Sequence, residues 1–302
     1  MDGRAAPREG QTFAGASRLV RYVNFVKLPH TVFALPFALV GVTLASYHTA
    51  VTALVVVWVV LAFTSARFVA MGFNRIVDRG FDRQNPRTLM RELPSGAMSA
   101  AEAWALVLAA AVFFELAAWR LNPLCLALSP LALAWVCFYS FTKRFTRWSH
   151  LVLGLGMAIA PVGGYLAITG RWSEPWWLLA ALAVAVLTWG AGFDVLYALQ
   201  DVAFDRAHGL FSLPAAVGEA GAIRVARVLH VLTVCALVAV MGGAGRGMIS
   251  FAGVLAVVAL LGYEHSLVSA EDQSRLDAAF FTMNGVISIV LFGFVLAERL
   301  LA

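Results

Sequence analysis

The chain has 302 residues, 61% of them apolar and 13% charged, with a formal net charge of +5 and a mean hydropathy of +0.83. An ordinary soluble domain carries roughly 45–50% apolar and about 25% charged residues, so this chain lacks the charged groups that would cover a water-facing surface. A soluble globular protein, a disordered chain, a collagen and a coiled coil are excluded, which leaves a polytopic membrane protein.

A charge at the bilayer centre costs about 2.5–3.5 kcal/mol, so uncharged stretches mark the membrane spans. The first such stretch, 28–66, is too long for a single crossing of about 20 residues. With a turn at Tyr47, His48 and Thr49 it predicts helices over 28–47 and 51–73. A third helix is predicted over 100–119, where Glu102 and Glu115 lie near the ends. Six more follow over 121–142, 148–170, 175–193, 228–245, 247–263 and 278–297, punctuated by Asn122, Pro123, Gly170 and Gly245. The expected fold is an all-α membrane protein with nine transmembrane helices, a single domain over 18–302 preceded by a disordered tail over 1–17. That tail contains Gly3, Pro7, Gly10 and Gly15 and no apolar run, which is not the pattern of a cleavable signal.

Eighteen of the 22 Lys and Arg residues fall before helix 1 or in the connections after helices 2, 4, 6 and 8, and only Arg120, Arg171, Arg246 and Arg299 fall on the other side. Cytoplasmic loops retain positive charge, so the N-terminus is predicted cytoplasmic and the protein a multi-pass component of the cytoplasmic (inner) membrane. The same bias accounts for a pI near 9.4, and no nucleic-acid partner is expected. Cys125, Cys137 and Cys235 sit inside predicted spans without metal-ligand spacing and read as small apolar fillers.

Two segments carry chemistry. Asn74, Asp78 and Asp82 recur every four residues, and so do Tyr197, Asp201 and Asp205 after Asp194. On a helix such a spacing puts the oxygens on one face. Like charges placed this way repel, and a divalent cation would compensate them. Magnesium suits the arrays because it is hard, prefers carboxylate oxygen and leaves coordination positions for phosphate. The plainer alternative is a solvated helix end whose Asp residues pair with Arg75, Arg79 and Arg83, but two arrays at the same predicted membrane face favour the metal. A secondary transporter is the competing class, and it would place its charges near the bilayer midplane instead.

The doubled motif resembles the UbiA superfamily of intramembrane aromatic prenyltransferases over nearly the whole chain. The residues that carry the resemblance are Asn74-x-x-x-Asp78-x-x-x-Asp82, Asn85-Pro86-Arg87-Thr88, Leu93-Pro94-Ser95-Gly96, Tyr139-Ser140-Phe141-Thr142-Lys143-Arg144 and Asp194-x-x-Tyr197-x-x-x-Asp201-x-x-x-Asp205. Phe33-Ala34-Leu35-Pro36-Phe37 and Asn74-Arg75 look most like the branch labelled 4-hydroxybenzoate polyprenyltransferase. Arg75 departs from the Asp that many ubiquinone-pathway-like members have there. That departure keeps 1,4-dihydroxy-6-naphthoate, a menaquinone precursor, as an alternative acceptor.

The resemblance implies transfer of a polyprenyl chain from polyprenyl diphosphate to an aromatic carboxylic acid, in quinone biosynthesis and within membrane lipid. It implies that Asp78 and Asp82 bind one Mg2+ and Asp201 and Asp205 another, with Asn74 adding a neutral oxygen. Lys143, Arg144 and Arg87 would contact the phosphates, Tyr197 would hydrogen-bond the diphosphate or the carboxylates, and Asp194 would be a base for the ring proton.

Arg67 is weighed separately, because it lies on the face of Asn74 but deeper in an otherwise uncharged helix. A buried arginine needs an anion, so it reads as a ligand for the aromatic carboxylate or a phosphate, with a structural tie to an Asp as the alternative. Among the rest, His30 reads as an interfacial anchor and His208 as a loop-ordering neighbour of Asp205. Trp172, Trp176 and Trp177 read as an interfacial belt, and Glu264, Glu271 and Asp272 as solvent-facing. Gly154, Gly156, Gly163 and Gly164 read as sites of close helix packing.

Overall fold

The computed structural model describes residues 17–27, 34–270, 273, 276 and 282–302. The tail over 1–16 and the expectations on His30, Phe33, Glu271, Asp272 and Arg275 lie outside the described residues. The described chain is all helical and has no strand.

In chain order the helices are α1 (Arg18–Phe25), α2 (Leu35–Ala45), α3 (Ala53–Val77), α4 (Arg79–Asp82), α5 (Ala100–Leu121), α6 (Pro123–Thr142), α7 (Ser149–Thr169), α8 (Trp176–Tyr197), α9 (Val202–Ala207), α10 (Leu213–Val217), α11 (Glu219–Gly243), α12 (Met248–Ser266) and α13 (Asn284–Leu301). Among the described residues eight helical segments are long and apolar enough to cross a membrane, namely α3, α5, α6, α7, α8 with its continuation to Ala207, α11, α12 and α13. The first predicted span is described only as α2.

The punctuation works through capping. Thr52 accepts from the Val55 amide at 3.3 Å to start α3, and Ser99 accepts from Glu102 at 3.1 Å to start α5. Asn122 accepts from Cys125 at 2.9 Å, with Pro123 in the first position of α6. Gly170 closes α7 at φ 63°, a left-handed conformation that glycine adopts without steric cost. The main boundary error is at α11, which begins at Glu219 where the charge-free stretch begins at 228. Arg224 and Arg227 ride on its first turns, and long basic side chains at a helix end can snorkel toward water.

The bundle is built around α8, the most buried of the spans, which packs between α7 and α11. The apolar core joins Phe37 of α2, Trp189 of α8, Leu237 of α11 and Ile287 of α13, with the Phe37 and Trp189 rings 4.6 Å apart. Helices α2 and α7 approach so closely that a Cβ on Gly41 would strike the Pro161 carbonyl and one on Gly164 the Ala38 carbonyl. Gly154 meets the α8 backbone in the same way, as expected for close packing. Gly163 does not, because a Cβ there would meet open space.

Glu264 corrects a second expectation. It is not solvent-facing but fully buried on α12, where one carboxylate oxygen accepts from Asn284 of α13 at 3.1 Å. Helix α12 runs on to Ser266, so the charge that closes the apolar stretch still lies within the helix pair.

On the other side of α7 and α8, facing α3 and α6, lies a cavity of about 800 Å³. Leu128, Ala132, Val136, Ile159 and Gly163 wall its apolar length, and it reaches Trp172 beyond the far end of α7.

Candidate active site

The polar end of this cavity collects every sequence-predicted site residue. Arg67, Asn74, Asp78, Asp82, Arg87, Lys143, Arg144, Asp194, Tyr197, Asp201 and Asp205 all line it. They come from α3, α4, α8 and α9 and from the connections that follow α3, α4, α6 and α8, so the juxtaposition is made by the tertiary fold.

The first array keeps one face because helical hydrogen bonding continues past the end of α3. The Asp78 amide donates to the Asn74 carbonyl at 2.9 Å, and the Asp82 amide to the Asp78 carbonyl at 2.8 Å. The second array is less regular. Helix α8 ends at Tyr197, Ala198–Asp201 tightens into a 3₁₀ turn, and α9 resumes at Val202. A 3₁₀ turn has about 3.0 residues per turn, so Asp201 and Asp205 leave the straight row that begins at Asp194.

Three of the carboxylates are held by arginines. Arg144 meets Asp78 at 2.9 Å, Arg91 meets Asp82 at 2.7 Å and Arg87 meets Asp201 at 2.5 Å. Arg87 also donates to the Tyr197 hydroxyl at 3.0 Å, and Asn85 donates to Asp201 at 3.1 Å. Asn74 donates its side-chain amide to Asp78 at 2.9 Å. Asp194 instead pairs with His150, at 2.7 Å.

The charges are balanced in burial. Burial pushes the Asp78 carboxyl up to about 6, against the pull of Arg144. Burial lowers the Lys143 ammonium, but the carboxylates of Asp205, Asp194, Asp201 and Asp78 outweigh it and hold it above its ordinary value. Arg87 behaves alike, since burial opposes its charge while Tyr197 and Asp201 more than restore it.

Arg67 has its Nε buried without a hydrogen-bond partner and, among the described residues, makes no ion pair. Arg75, one position after Asn74, is 3% exposed and faces Glu92 at 3.6 Å.

Sequence reasoning missed three residues. Arg91 counted only as a topology charge, Asn85 only as part of a motif, and His150 was not considered. Asn85 had a readable signal, because its side chain accepts from the Arg87 amide at 3.0 Å and so shapes the Asn-Pro-Arg-Thr turn. His150 and Asp194 are 44 residues apart, and no local spacing connects them.

Among the described residues no three His, Cys, Asp or Glu groups close on one point as a ready-made metal cage. The donor chemistry nonetheless fits a hard cation. Asp82 Oδ2 and Asp205 Oδ2 are both buried without a hydrogen-bond partner, which is costly for a carboxylate oxygen unless a cation meets it.

Residues 34–286 match the UbiA prenyltransferase family. The chain belongs to that family. A 4-hydroxybenzoate octaprenyltransferase of Shewanella piezotolerans is 30% identical to this UbiA family member over 212 residues, 70% of this chain and 72% of that one. The apo structure of a UbiA homologue from Aeropyrum pernix K1 is 32% identical, with a TM-score of 0.82 over 90% of this chain and 98% of that chain. A UbiA homologue from Archaeoglobus fulgidus bound to DMAPP and Mg2+ shares the fold, with a TM-score of 0.74 and 21% identity over 93% of this chain and all of that one. This UbiA family member is therefore a multi-pass membrane prenyltransferase, and the transporter reading is set aside.

Proposed function

We propose that the protein transfers a polyprenyl chain from polyprenyl diphosphate to a ring carbon of an aromatic carboxylic acid, 4-hydroxybenzoate, in quinone biosynthesis. The observation that carries this reading is the single cavity, which joins both acidic arrays and their basic partners to a long apolar wall. A polar head and an isoprenoid tail need that combination. The relatives named as 4-hydroxybenzoate octaprenyltransferases support the acceptor.

In this reading Asp78 and Asp82, with the neutral oxygen of Asn74, hold one Mg2+, and Asp201 and Asp205 hold the other. When bound, the ions offset the charge that grows on the departing diphosphate. Lys143, Arg144 and Arg87 bind the phosphate oxygens, and Tyr197 orients Arg87 or the diphosphate itself. Arg67 binds the acceptor carboxylate through its otherwise unpartnered guanidinium. Bond formation joins the ring carbon to the allylic carbon as the carbon–oxygen bond breaks. The diphosphate leaves with the electron pair, and Asp194 takes the ring proton. The apolar wall excludes water from the allylic centre. The positive-inside bias puts this site at the cytoplasmic face of the inner membrane.

Arg75 in place of Asp keeps a second acceptor, 1,4-dihydroxy-6-naphthoate, as the alternative by the same chemistry. The test is transfer by the purified protein in detergent with Mg2+ and octaprenyl diphosphate, the two acceptors offered in parallel and products identified by mass. Prenylated 4-hydroxybenzoate is expected. A product with only the naphthoate would replace the acceptor, and no product with either would overturn the aromatic-acid reading.

A further inference from the structure

We infer that His150 is a positioning residue for the transfer, its ring N–H holding Asp194 at the cavity wall as the group that receives the aromatic ring proton. The inference rests on the prenyl-transfer reading above and adds to it a residue that neither acidic array contains.

His150 is 2% exposed on α7, and its Nδ1 lies 2.7 Å from Oδ2 of Asp194 on α8. The other ring nitrogen fixes the direction of that bond. The Leu213 amide, which can only donate, points at Nε2 from 3.4 Å. Nε2 is then the acceptor, the ring proton sits on Nδ1, and Nδ1 donates to the carboxylate. His150 does not line the cavity whereas Asp194 does, so the imidazole acts through Asp194 and not on substrate.

Asp194 differs from its neighbours in this partner. Asp78, Asp82 and Asp201 each face a guanidinium, a group suited to exchange its carboxylate for phosphate. The Asp194 carboxylate among the described residues hydrogen-bonds only to the imidazole, on one of its two oxygens, while Lys143 acts on it through charge without a hydrogen bond. The second oxygen is left for a proton from the cavity. As the ring carbon bonds to the allylic carbon, the diphosphate departs with its electron pair, the C–H electrons return to the ring, and the proton passes to Asp194. A carboxylate free to rotate would meet that proton in only a fraction of its orientations, and the imidazole removes this freedom.

His150 also ties the Leu213 segment to α7, so its two hydrogen bonds must be separated. Asn at this position can place an amide N–H near Nδ1 and keep the bond to Asp194. Gln can reach the Nε2 position and keep the bond to Leu213. The experiment compares His150→Asn, His150→Gln and His150→Ala in the full-length protein in detergent. It reads kcat, both KM values, the melting temperature and the isotope effect on kcat for an acceptor deuterated at the attacked ring carbon. The expected result is a kcat about 10- to 100-fold lower for Gln and Ala with the diphosphate KM unchanged, and an isotope effect larger than in the wild type. Asn is expected to restore kcat to within about threefold. Equal losses in all three variants with a lowered melting temperature and no isotope effect would reduce His150 to a structural tie, and unchanged kinetics in Gln and Ala would overturn the inference outright. A wild type that binds the diphosphate but transfers to neither acceptor would overturn the transfer reading, and this inference with it.

Discussion

Arg87 grips both oxygens of Asp201. Its Nη2 lies 2.5 Å from Oδ2 and its Nε 3.1 Å from Oδ1, while Nη1 donates to the Tyr197 hydroxyl at 3.0 Å. Arg144 with Asp78 and Arg91 with Asp82 repeat the theme. Carboxylates set close together on helix ends would repel one another, and the arginines let them gather at a half-buried site. In the proposed reading the same guanidiniums pass to phosphate oxygens once cations take over the carboxylates.

Replacing Arg87 by Lys keeps the charge but removes the two-pronged geometry. The diphosphate KM is expected to rise about tenfold, with the acceptor KM unchanged. Steady-state kinetics with each substrate varied in turn checks this. A change confined to the acceptor KM would remove Arg87 from the phosphate site.

Arg67→Ala should show the opposite pattern. Its guanidinium lines the cavity and makes no ion pair among the described residues, and a buried hydrogen-bonded ion pair with the acceptor is worth about 2–5 kcal/mol on truncation. The acceptor KM is expected to rise at least about tenfold while the diphosphate KM holds. A methyl ester of the acceptor should bind to the variant and the wild type alike. Loss of diphosphate binding instead would assign Arg67 to a phosphate.

Much of this architecture is legible in the sequence because the bilayer penalises charge so strongly. The ends of α6 and α7 follow from Asn122, Pro123 and Gly170, and the arrays follow from a four-residue spacing that a helix converts into a face. What stayed hidden depends on contacts between distant segments. Glu264 read as a surface charge because its partner Asn284 belongs to the next helix. Arg91 reached Asp82 across a connection whose path no local pattern specifies, and His150 met Asp194 only through the packing of α7 on α8. The irregular end of α8 was also unreadable, since 3₁₀ and α turns share the same residue preferences over so short a run.

Two adjacent glycines on α7 should separate packing from substrate length. Gly164→Leu forces a side chain into the α2 backbone and is expected to cost about 1–3 kcal/mol, read as a lower melting temperature in detergent. Gly163→Leu points into the cavity instead and should leave the melting temperature near that of the wild type. Gly163 lies roughly 20 Å along α7 from His150 at about 1.5 Å per residue, which is several isoprene units from the polar end. The variant is expected to keep activity with geranyl diphosphate and lose it with octaprenyl diphosphate. Equal activity with both would place the tail on another path.

The most direct test of the joined arrays is prenyl transfer to 4-hydroxybenzoate, followed by mass, for the wild type, Asp78→Ala and Asp205→Ala, each with Mg2+ and with a chelator. The expected result is product only from the wild type with Mg2+, and a loss of about 10²-fold or more in each variant, because each removes a ligand from a different half of one site. Full activity in the chelator, or in either variant while the other is inactive, would contradict a diphosphate held between the two arrays.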